Sequence, residues 1–235
     1  MFIFDIIFIG DKKMDDLLLL LLIIALPLIA QLYISASYNS NLKKKNKQGL
    51  TGFDAARKIL DANGLNDLLI IETSGNLTDH YDPKRKVIRL SKSIYELDSM
   101  ASISVAAHEV GHALQDKEGY FFLKFRSFIF PVVSIMSRIA YVVLFIGFLS
   151  EIANLIWFGI FAVAFGVFFQ IITLPVEINA SKRAIKQMEE LGLITDDDEK
   201  SSAKNMLTAA ALTYVAGALA ELLQLLRLIN IVRRD

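Results

Sequence analysis

The hydrophobic positions of this chain fall into long blocks that few polar residues interrupt. Residues 17–34 (LLLLLLIIALPLIAQLYI) carry almost no charge, and residues 128–149 and 152–174 form two further blocks, separated only by Ser150 and Glu151. About 20 apolar residues in a helix are enough to cross a hydrocarbon core of about 30 Å. The pattern therefore predicts three transmembrane helices, of which the second and third form a tight hairpin.

Residues 51–126 lose this membrane character and predict a small soluble region. The stretch TGFDAARKILDANG predicts a helix that is capped by Thr51 and stopped by Gly64. LLIIET and VIRLS predict two strands, with a turn at SGN between them. The alanine-rich stretch SMASISVAAHEVGHALQDKEG predicts a longer helix that ends at Gly119.

The chain after the hairpin is harder to interpret. Pro175 is predicted to end the third span and to begin a soluble helix that continues to about Glu190. The final segment, MLTAAALTYVAGALAELLQLLRLINIV, is long enough to cross a membrane. Its small residues, with Glu221 and Arg227, indicate instead a helix packed on protein with its end on the membrane surface, so both alternatives stay open. Residues 1–10 are apolar but too short to cross and remain unassigned.

Composition agrees with a membrane protein and excludes several classes of site. Hydrophobic residues make up 54% of the 235 and the mean hydropathy is +0.46, which is too apolar for a soluble domain. Basic and acidic residues balance at 25 each, so net charge does not indicate a nucleic-acid partner. The absence of cysteine excludes disulfides, iron–sulfur clusters and thiolate zinc sites. Any metal must be held by His, Asp or Glu.

Basic residues lie beside the ends of the predicted spans, but none lies at the tip of the hairpin. The positive-inside rule places such basic flanks in the cytoplasm. We therefore predict that the region before the hairpin and the region after it both face the cytoplasm. These flanking residues are Lys43, Lys44, Lys45 and Lys47 after the first span, Lys124 and Arg126 before the hairpin, and Lys182 and Arg183 after it.

The candidate chemistry lies in HEVGHALQ, residues 108–115. On a helix, His108 and His112 are four residues apart and project from one face, so they can offer two nitrogens to one ion at about 2.0 to 2.1 Å. Glu109 points to the edge of that face, where it is better placed to take a proton from water than to act as a third ligand. Gly111 weakens such a helix by about 1 kcal/mol relative to alanine, which suggests that a strand or a second ligand helix approaches its backbone. The alternative is a solvated helix whose histidines occur there by chance.

A hydrolytic zinc site keeps three protein ligands and leaves one position for water. His80 is the remaining histidine, and among the carboxylates Glu177 in LPVEINASKRA is the best candidate, just outside the third span. The alternative for Glu177 is a helix-capping residue. His80, in TDHYDP, either borders a substrate cleft or is a surface histidine, and Tyr214 either stabilises an oxyanion or packs in a core.

The motifs LTDHYDP, RLS, AAHEVGHALQ, PVEINASKRA and AAALTYVAGAL, in this order and spacing, resemble those of the YugP-like family of bacterial membrane zinc metallopeptidases. The resemblance covers nearly the whole chain from about residue 17. The chain is more distantly similar to HtpX-type and CaaX-prenyl-protease-type peptidases. In those families HExxH is followed, after membrane spans, by a helix with a ligand glutamate in an E-x-x-A-D setting.

This resemblance implies roles for five residues. His108, His112 and Glu177 correspond to the zinc ligands and Glu109 to the catalytic base, a gluzincin-like set. Ser181 stands at the position of the final aspartate of the E-x-x-A-D setting, where it is a candidate partner for a ligand histidine.

Together these inferences predict an α-rich integral membrane protein with a zincin-like α+β catalytic domain. A transmembrane hairpin is expected between the HExxH helix and the third-ligand helix. The predicted parts are an N-terminal segment with the first span (1–36), a cytoplasmic zincin-like part with the HExxH helix (37–127), the hairpin (128–174), and the third-ligand helix with the C-terminal apolar helix (175–235).

The expected function is that of a multi-pass plasma-membrane endopeptidase with its catalytic side in the cytoplasm. Zn²⁺ would polarise the scissile carbonyl, and Glu109 would carry the proton to the leaving amine. The expected partners are the lipid bilayer and a protein or peptide substrate, membrane-associated or misfolded, but not nucleic acid; the oligomeric state stays open. A membrane scaffold that retains a structural zinc is the alternative. A transporter is a third possibility, suggested by Arg138 and Glu221 within apolar segments.

Overall fold

A computed structural model describes residues 12–234, so residues 1–10, which the sequence left unassigned, lie outside the described part. Within that part the chain forms seven helices and three strands. In chain order they are α1 (Lys12–Lys43), α2 (Gly52–Ala62), β1 (Leu69–Thr73), β2 (His80–Asp82), β3 (Val87–Ser91), α3 (Lys92–Glu96), α4 (Met100–Lys117), α5 (Phe121–Leu149), α6 (Ala153–Glu190) and α7 (Asp197–Arg234).

The chain divides into two compact units, each made of segments that are distant in sequence. The first comprises the described residues of Met1–Gln31, with Arg126–Ile172 and Thr213–Asp235. The second comprises Leu32–Phe125 and Thr173–Leu212. The second unit contains the three strands and the HEVGH stretch.

The three strands form one sheet in the order β1–β3–β2. Leu69 to Thr73 of β1 pair in parallel with Val87 to Ser91 of β3, while β2 pairs with β3 in the antiparallel direction. The two strands predicted from LLIIET and VIRLS are confirmed. Strand β2 was not predicted, because it has only three residues and lies in TDHYDP, where aspartate and proline favour a turn.

The local signals around α2 and α4 produce the expected helices. Thr51 caps α2 through a capping box with Asp54, and Gly64 follows the helix with a φ of +66°. Both helices turn a buried face to one hydrophobic core that also takes in residues of β1 and β3. One face of α4 is a buried apolar stripe, in which Ile103, Ala106 and Val110 have no exposed surface and Leu114 has 4%.

In the first unit, α5 and α6 pack tightly against each other after a short connection. A β-carbon on Gly159 would lie 2.5 Å from Leu144 Cγ, and one on Gly147 would lie 2.9 Å from the backbone nitrogen of Ile156. Glycine at both positions therefore lets the two helices approach closely. The connection contains Glu151 with a φ of +56°.

Four helices of the described chain are long and apolar enough to cross a membrane. They include the three predicted spans and also the C-terminal helix, which the sequence had left open. The four stretches are Asp16–Lys43, Phe121–Leu149, Ala153–Glu190 and Asp197–Arg233.

The prediction that Pro175 separates two helices is wrong. Helix α6 continues without a break from Ala153 to Glu190, with Pro175 inside it. A proline removes one intrahelical hydrogen bond, and long apolar helices tolerate this loss where neighbouring groups can satisfy the freed backbone carbonyl. Glu177 therefore lies in the middle of a long helix and not in the first turn of a new one.

Candidate metal centre

Helix α4 carries two histidines side by side. Ser99 caps the helix by accepting a hydrogen bond from the backbone N–H of Ser102, and the buried apolar stripe fixes the rotation of α4 in the core. His108 and His112 consequently share the other face, where both are partly exposed. Their ring centroids are 4.8 Å apart and the rings are nearly perpendicular, at 84°.

Helix α6 brings Glu177 to the same place. One carboxylate oxygen, Oε2, lies 3.3 Å from His108 Nε2 and 3.5 Å from His112 Nε2. Glu177 itself is buried, with 3% of its surface exposed. The three residues each offer one ligand atom, and these atoms lie within 4.8 Å of one another.

Gly111 explains how α4 and α6 come so close. A β-carbon at this position would lie 2.5 Å from the carbonyl oxygen of Ala180. The expectation that another element approaches the backbone of Gly111 is confirmed, and that element is the helix that carries Glu177.

The donor set suits zinc, and two of its three separations agree with a tetrahedral ion. Two ligands at about 2.0 to 2.1 Å from such an ion are about 3.3 Å apart. The two observed separations from Glu177 Oε2, 3.3 and 3.5 Å, are close to this value. Two imidazole nitrogens and one carboxylate oxygen are also a donor set that zinc prefers.

Each histidine has a polar partner on its other ring nitrogen. Ser181 Oγ lies 3.2 Å from His108 Nδ1, and Gln115 Oε1 lies 3.0 Å from His112 Nδ1. Such contacts orient an imidazole and leave the opposite nitrogen for a ligand bond. Both Nε2 atoms are the ones that face Glu177.

Glu109 lies buried beside this group. Its Oε2 accepts a hydrogen bond of 2.9 Å from the backbone N–H of Tyr81, in β2. The pKa of the Glu109 carboxyl is raised to about 7, mainly by burial; His108 opposes this shift, and the nearby carboxylates of Glu177 and Asp79 contribute to it. The carboxyl is thus oriented by the edge strand that the sequence did not predict.

Two other predicted candidates lie apart from the group. His80 is exposed, and its Nδ1 donates a hydrogen bond of 2.8 Å to the carbonyl oxygen of Thr78. This environment agrees with the surface-histidine alternative. Tyr214 is half-buried on α7 in the first unit, so its possible role as an oxyanion partner stays a prediction.

Sequence reasoning missed Gln115 and Asn179. Gln115 is fully buried, and its Nε2 donates to the carbonyl oxygen of Val176 at 2.8 Å and to Asn179 Oδ1 at 2.9 Å. A signal was present for Gln115, because it stands three residues after His112 and therefore on the same helix face. For Asn179 there was none without knowledge of how the two helices pack.

Comparison with known proteins agrees with the resemblance. The "Putative membrane protease YugP" of Bacillus subtilis (strain 168) is 47% identical over 202 residues, which cover 86% of this chain and 89% of that protein. No solved structure matches the chain significantly. Residues 16–233 match the family described as "Putative neutral zinc metallopeptidase". The chain therefore belongs to this family.

Proposed function

We propose that the protein is a membrane-embedded zinc endopeptidase that hydrolyses peptide bonds of membrane-associated or misfolded proteins. One observation carries the proposal: His108, His112 and Glu177 converge on a single point, and the buried Glu109 lies beside them. The family supplies the reaction class, and the four long apolar helices support a location in the membrane.

The residues that would hold the metal are His108 and His112, through Nε2, and Glu177, through Oε2. Zinc, when bound, would supply a Lewis acid for the scissile carbonyl and for a water molecule. Among the described residues the group contains three ligands and not four. This number favours a catalytic site, which keeps one position open, over a structural site, which protein ligands close completely.

Glu109 would move the proton. It follows His108 directly on α4, and the Tyr81 N–H orients its carboxylate through Oε2. In this position it would take a proton from the attacking water and deliver it to the leaving amine. Because Glu109 is buried, other water molecules are kept away from its carboxylate. The carboxylate can therefore transfer the proton from the attacking water to the leaving amine more effectively.

We also propose a split catalytic domain of the zincin type. The HExxH helix α4 packs in one core with strands β1 and β3, and the unit that contains it is built from Leu32–Phe125 and Thr173–Leu212. The segment between them holds most of α5 and the first part of α6, the proposed transmembrane hairpin. The basic residues before and after this hairpin support a cytoplasmic position for the catalytic side.

The proposal is tested with purified full-length protein in detergent or liposomes. An unfolded membrane protein is offered as substrate, with and without a chelator, and zinc is then restored. We expect cleavage that the chelator abolishes and zinc restores, and none with Glu109→Gln. Cleavage by the Gln variant at the parent rate would refute the mechanism. If zinc binds stoichiometrically but no substrate is cleaved, and Glu109→Gln retains full cellular function, the results would instead support the alternative of a membrane scaffold that retains a structural zinc.

A further inference from the structure

A chain of hydrogen bonds runs from an arginine to one of the proposed ligands. Arg183 Nε donates to Asn179 Oδ1 at 2.8 Å, Gln115 Nε2 donates to the same oxygen at 2.9 Å, and Gln115 Oε1 lies 3.0 Å from His112 Nδ1. The chain connects α6, which carries Glu177, with α4, which carries both histidines.

Every bond in this chain has a single possible direction. The Nε of arginine can only donate, so the atom of Asn179 that faces it must be the oxygen. The group of Gln115 that faces this oxygen must then be the amide nitrogen, which also donates to the carbonyl oxygen of Val176 at 2.8 Å. The carbonyl oxygen of Gln115 consequently faces His112, and His112 Nδ1 must carry a hydrogen.

We propose that Gln115 is a positioning residue that, with Asn179 and Arg183, keeps a hydrogen on His112 Nδ1 and so fixes the orientation of the ring. With Nδ1 occupied in this way, Nε2 is the nitrogen left for a metal, and it faces Glu177. The inference rests on the proposed metal site, because a metal ligand has to present Nε2 in this direction. The same amide also holds α4 against α6, since both of its nitrogen bonds end on α6.

The environment makes the arrangement stable. Gln115 has no exposed surface, so a rotated amide would leave the Val176 carbonyl facing another oxygen in a buried site. Arg183 is held in turn by Glu118, which accepts two hydrogen bonds of 2.6 and 2.7 Å from its guanidinium group.

His108 has no comparable control. Its Nδ1 faces the hydroxyl of Ser181 at 3.2 Å, and a hydroxyl can either donate or accept. Ser181 can therefore donate to His108 or accept from it, whereas the Glu177 carboxylate, 3.3 Å from His108 Nε2, can only accept while no metal is bound. Unlike the bond of Gln115 to His112, the contact of Ser181 with His108 has no fixed direction.

The first test measures zinc affinity by competition with a chelator. Gln115→Met keeps the length of the side chain but removes all three hydrogen bonds. We expect zinc to bind about 10- to 100-fold more weakly, the usual cost of removing such an outer partner. Gln48→Met is the matched control, because Gln48 is exposed on the loop after α1, and it should bind zinc like the parent. Parental affinity in Gln115→Met would overturn the inference.

The second test detects the hydrogen on His112 Nδ1 directly in zinc-free protein by ¹H–¹⁵N NMR of labelled histidine. The chain has three histidines, so single His variants assign the signals. In the parent, the hydrogen on His112 Nδ1 should exchange slowly with solvent; in Gln115→Met, it should exchange faster. His80, whose Nδ1 donates to Thr78, should not change. An unchanged His112 signal in a folded Gln115→Met protein would refute the inference even if the parent binds zinc.

A pair of variants at Asn179 separates the loss of the hydrogen-bond chain from a general destabilisation of the protein. Asn179→Asp keeps an oxygen that accepts from Gln115 and Arg183, whereas Asn179→Leu removes it. We expect Asn179→Asp to keep the parental zinc affinity and the parental His112 signal, and Asn179→Leu to lose both. Equal behaviour of the two variants would contradict the proposed direction of the chain. A parent that binds no zinc would refute the proposed function, while the NMR result would still decide whether Gln115 holds the hydrogen on His112 Nδ1.

Discussion

The carbonyl oxygen of Ala180 lies only 2.5 Å from the position that a β-carbon on Gly111 would occupy. The backbones of helices α4 and α6 thus approach each other directly at this point. Gly111 precedes His112, and Ala180 is one helical turn after Glu177. The close approach and the proposed ligand set therefore depend on the same helix contact.

Gly111→Ala should destabilise the protein and weaken zinc binding. Alanine is the better helix former by about 1 kcal/mol, but the added methyl group collides with backbone, and overpacking of this kind costs about 1 to 3 kcal/mol. Thermal unfolding and chelator competition measure the two effects. Gly217→Ala on α7 is the control, because among residues 12–234 a β-carbon there would have only Gln170 Nε2 within 4 Å, at 3.9 Å. A Gly111→Ala protein that is more stable than the parent would contradict the helix contact.

Glu109→Gln should keep the fold and the metal but lose hydrolysis. The amide oxygen of glutamine can still accept the Tyr81 N–H, so the contact with β2 survives. Removal of a general base typically lowers the rate by about 10² to 10⁴. Zinc content by elemental analysis and cleavage of an unfolded membrane protein are measured on one preparation. Loss of zinc together with activity would show that Glu109 acts as a ligand.

Single alanine substitutions should distinguish the two proposed ligand histidines from His80 by their effect on zinc content. His108→Ala and His112→Ala each remove one of three proposed ligands, and neither should retain a stoichiometric metal against buffer. His80→Ala should retain one zinc per chain, because His80 is exposed and its ring bonds to Thr78. Elemental analysis after gel filtration measures the content. Full zinc in both ligand variants would place the site elsewhere.

The residues that meet at the site could be proposed from the sequence because each left a local signal. The spacing of His108 and His112 on a helix with an apolar stripe specifies a shared face. Glu177 could be proposed because it directly follows the predicted hairpin. Few other carboxylates lie next to a span on the side of the membrane predicted for His108. These signals depend on helix periodicity and on long apolar runs, which local sequence determines strongly.

What the sequence did not reveal depends on contacts between distant segments. Strand β2 forms because it pairs with β3, not because three residues of TDHYDP favour a strand. The partners of Gln115 lie on α6, more than 60 residues away. Pro175 was expected to end a helix, but the segments on both sides of it remain helical and α6 continues.

The pair of Glu118 and Arg183 should give a small, pH-dependent contribution to stability. Hydrogen bonding to Arg183 holds the pKa of Glu118 below its usual value of 4.5. A lowered folded-state pKa stabilises the fold above the unfolded pKa, and this contribution disappears as the pH falls through the lower folded value. Because Glu118 is largely exposed, we expect less than about 1 kcal/mol.

Zinc-free parent and Glu118→Gln are compared by thermal unfolding between pH 6 and pH 3. The parent should be slightly more stable at pH 6, and the two unfolding temperatures should converge on acidification. A difference that grows as the pH falls would contradict the assignment of the lowered pKa to Glu118.

The contact of His108 with Glu177 constrains the membrane topology. The two side chains lie 3.3 Å apart, although the segment between them contains one stretch that could cross a membrane, Phe121–Leu149, and the larger part of another, Ala153–Glu190. Residues that share one site must be on one side, so the intervening chain has to cross an even number of times. We predict two crossings, with both ends in the cytoplasm.

Single cysteines test this prediction, since the chain contains none of its own. Lys92 precedes the proposed hairpin in sequence and Lys182 follows it, and both are exposed. Ser150 is exposed at the tip of the hairpin. In intact cells an impermeant thiol reagent should label Ser150→Cys, whereas Lys92→Cys and Lys182→Cys should react only after the cytoplasmic face is opened. All three cysteines should be labelled in the opened preparation. This control shows that a missing label in intact cells is due to the side of the membrane and not to burial of the cysteine. If positions 92 and 182 were labelled from opposite faces, one crossing would separate His108 from Glu177, and the third ligand and the split domain would both be excluded.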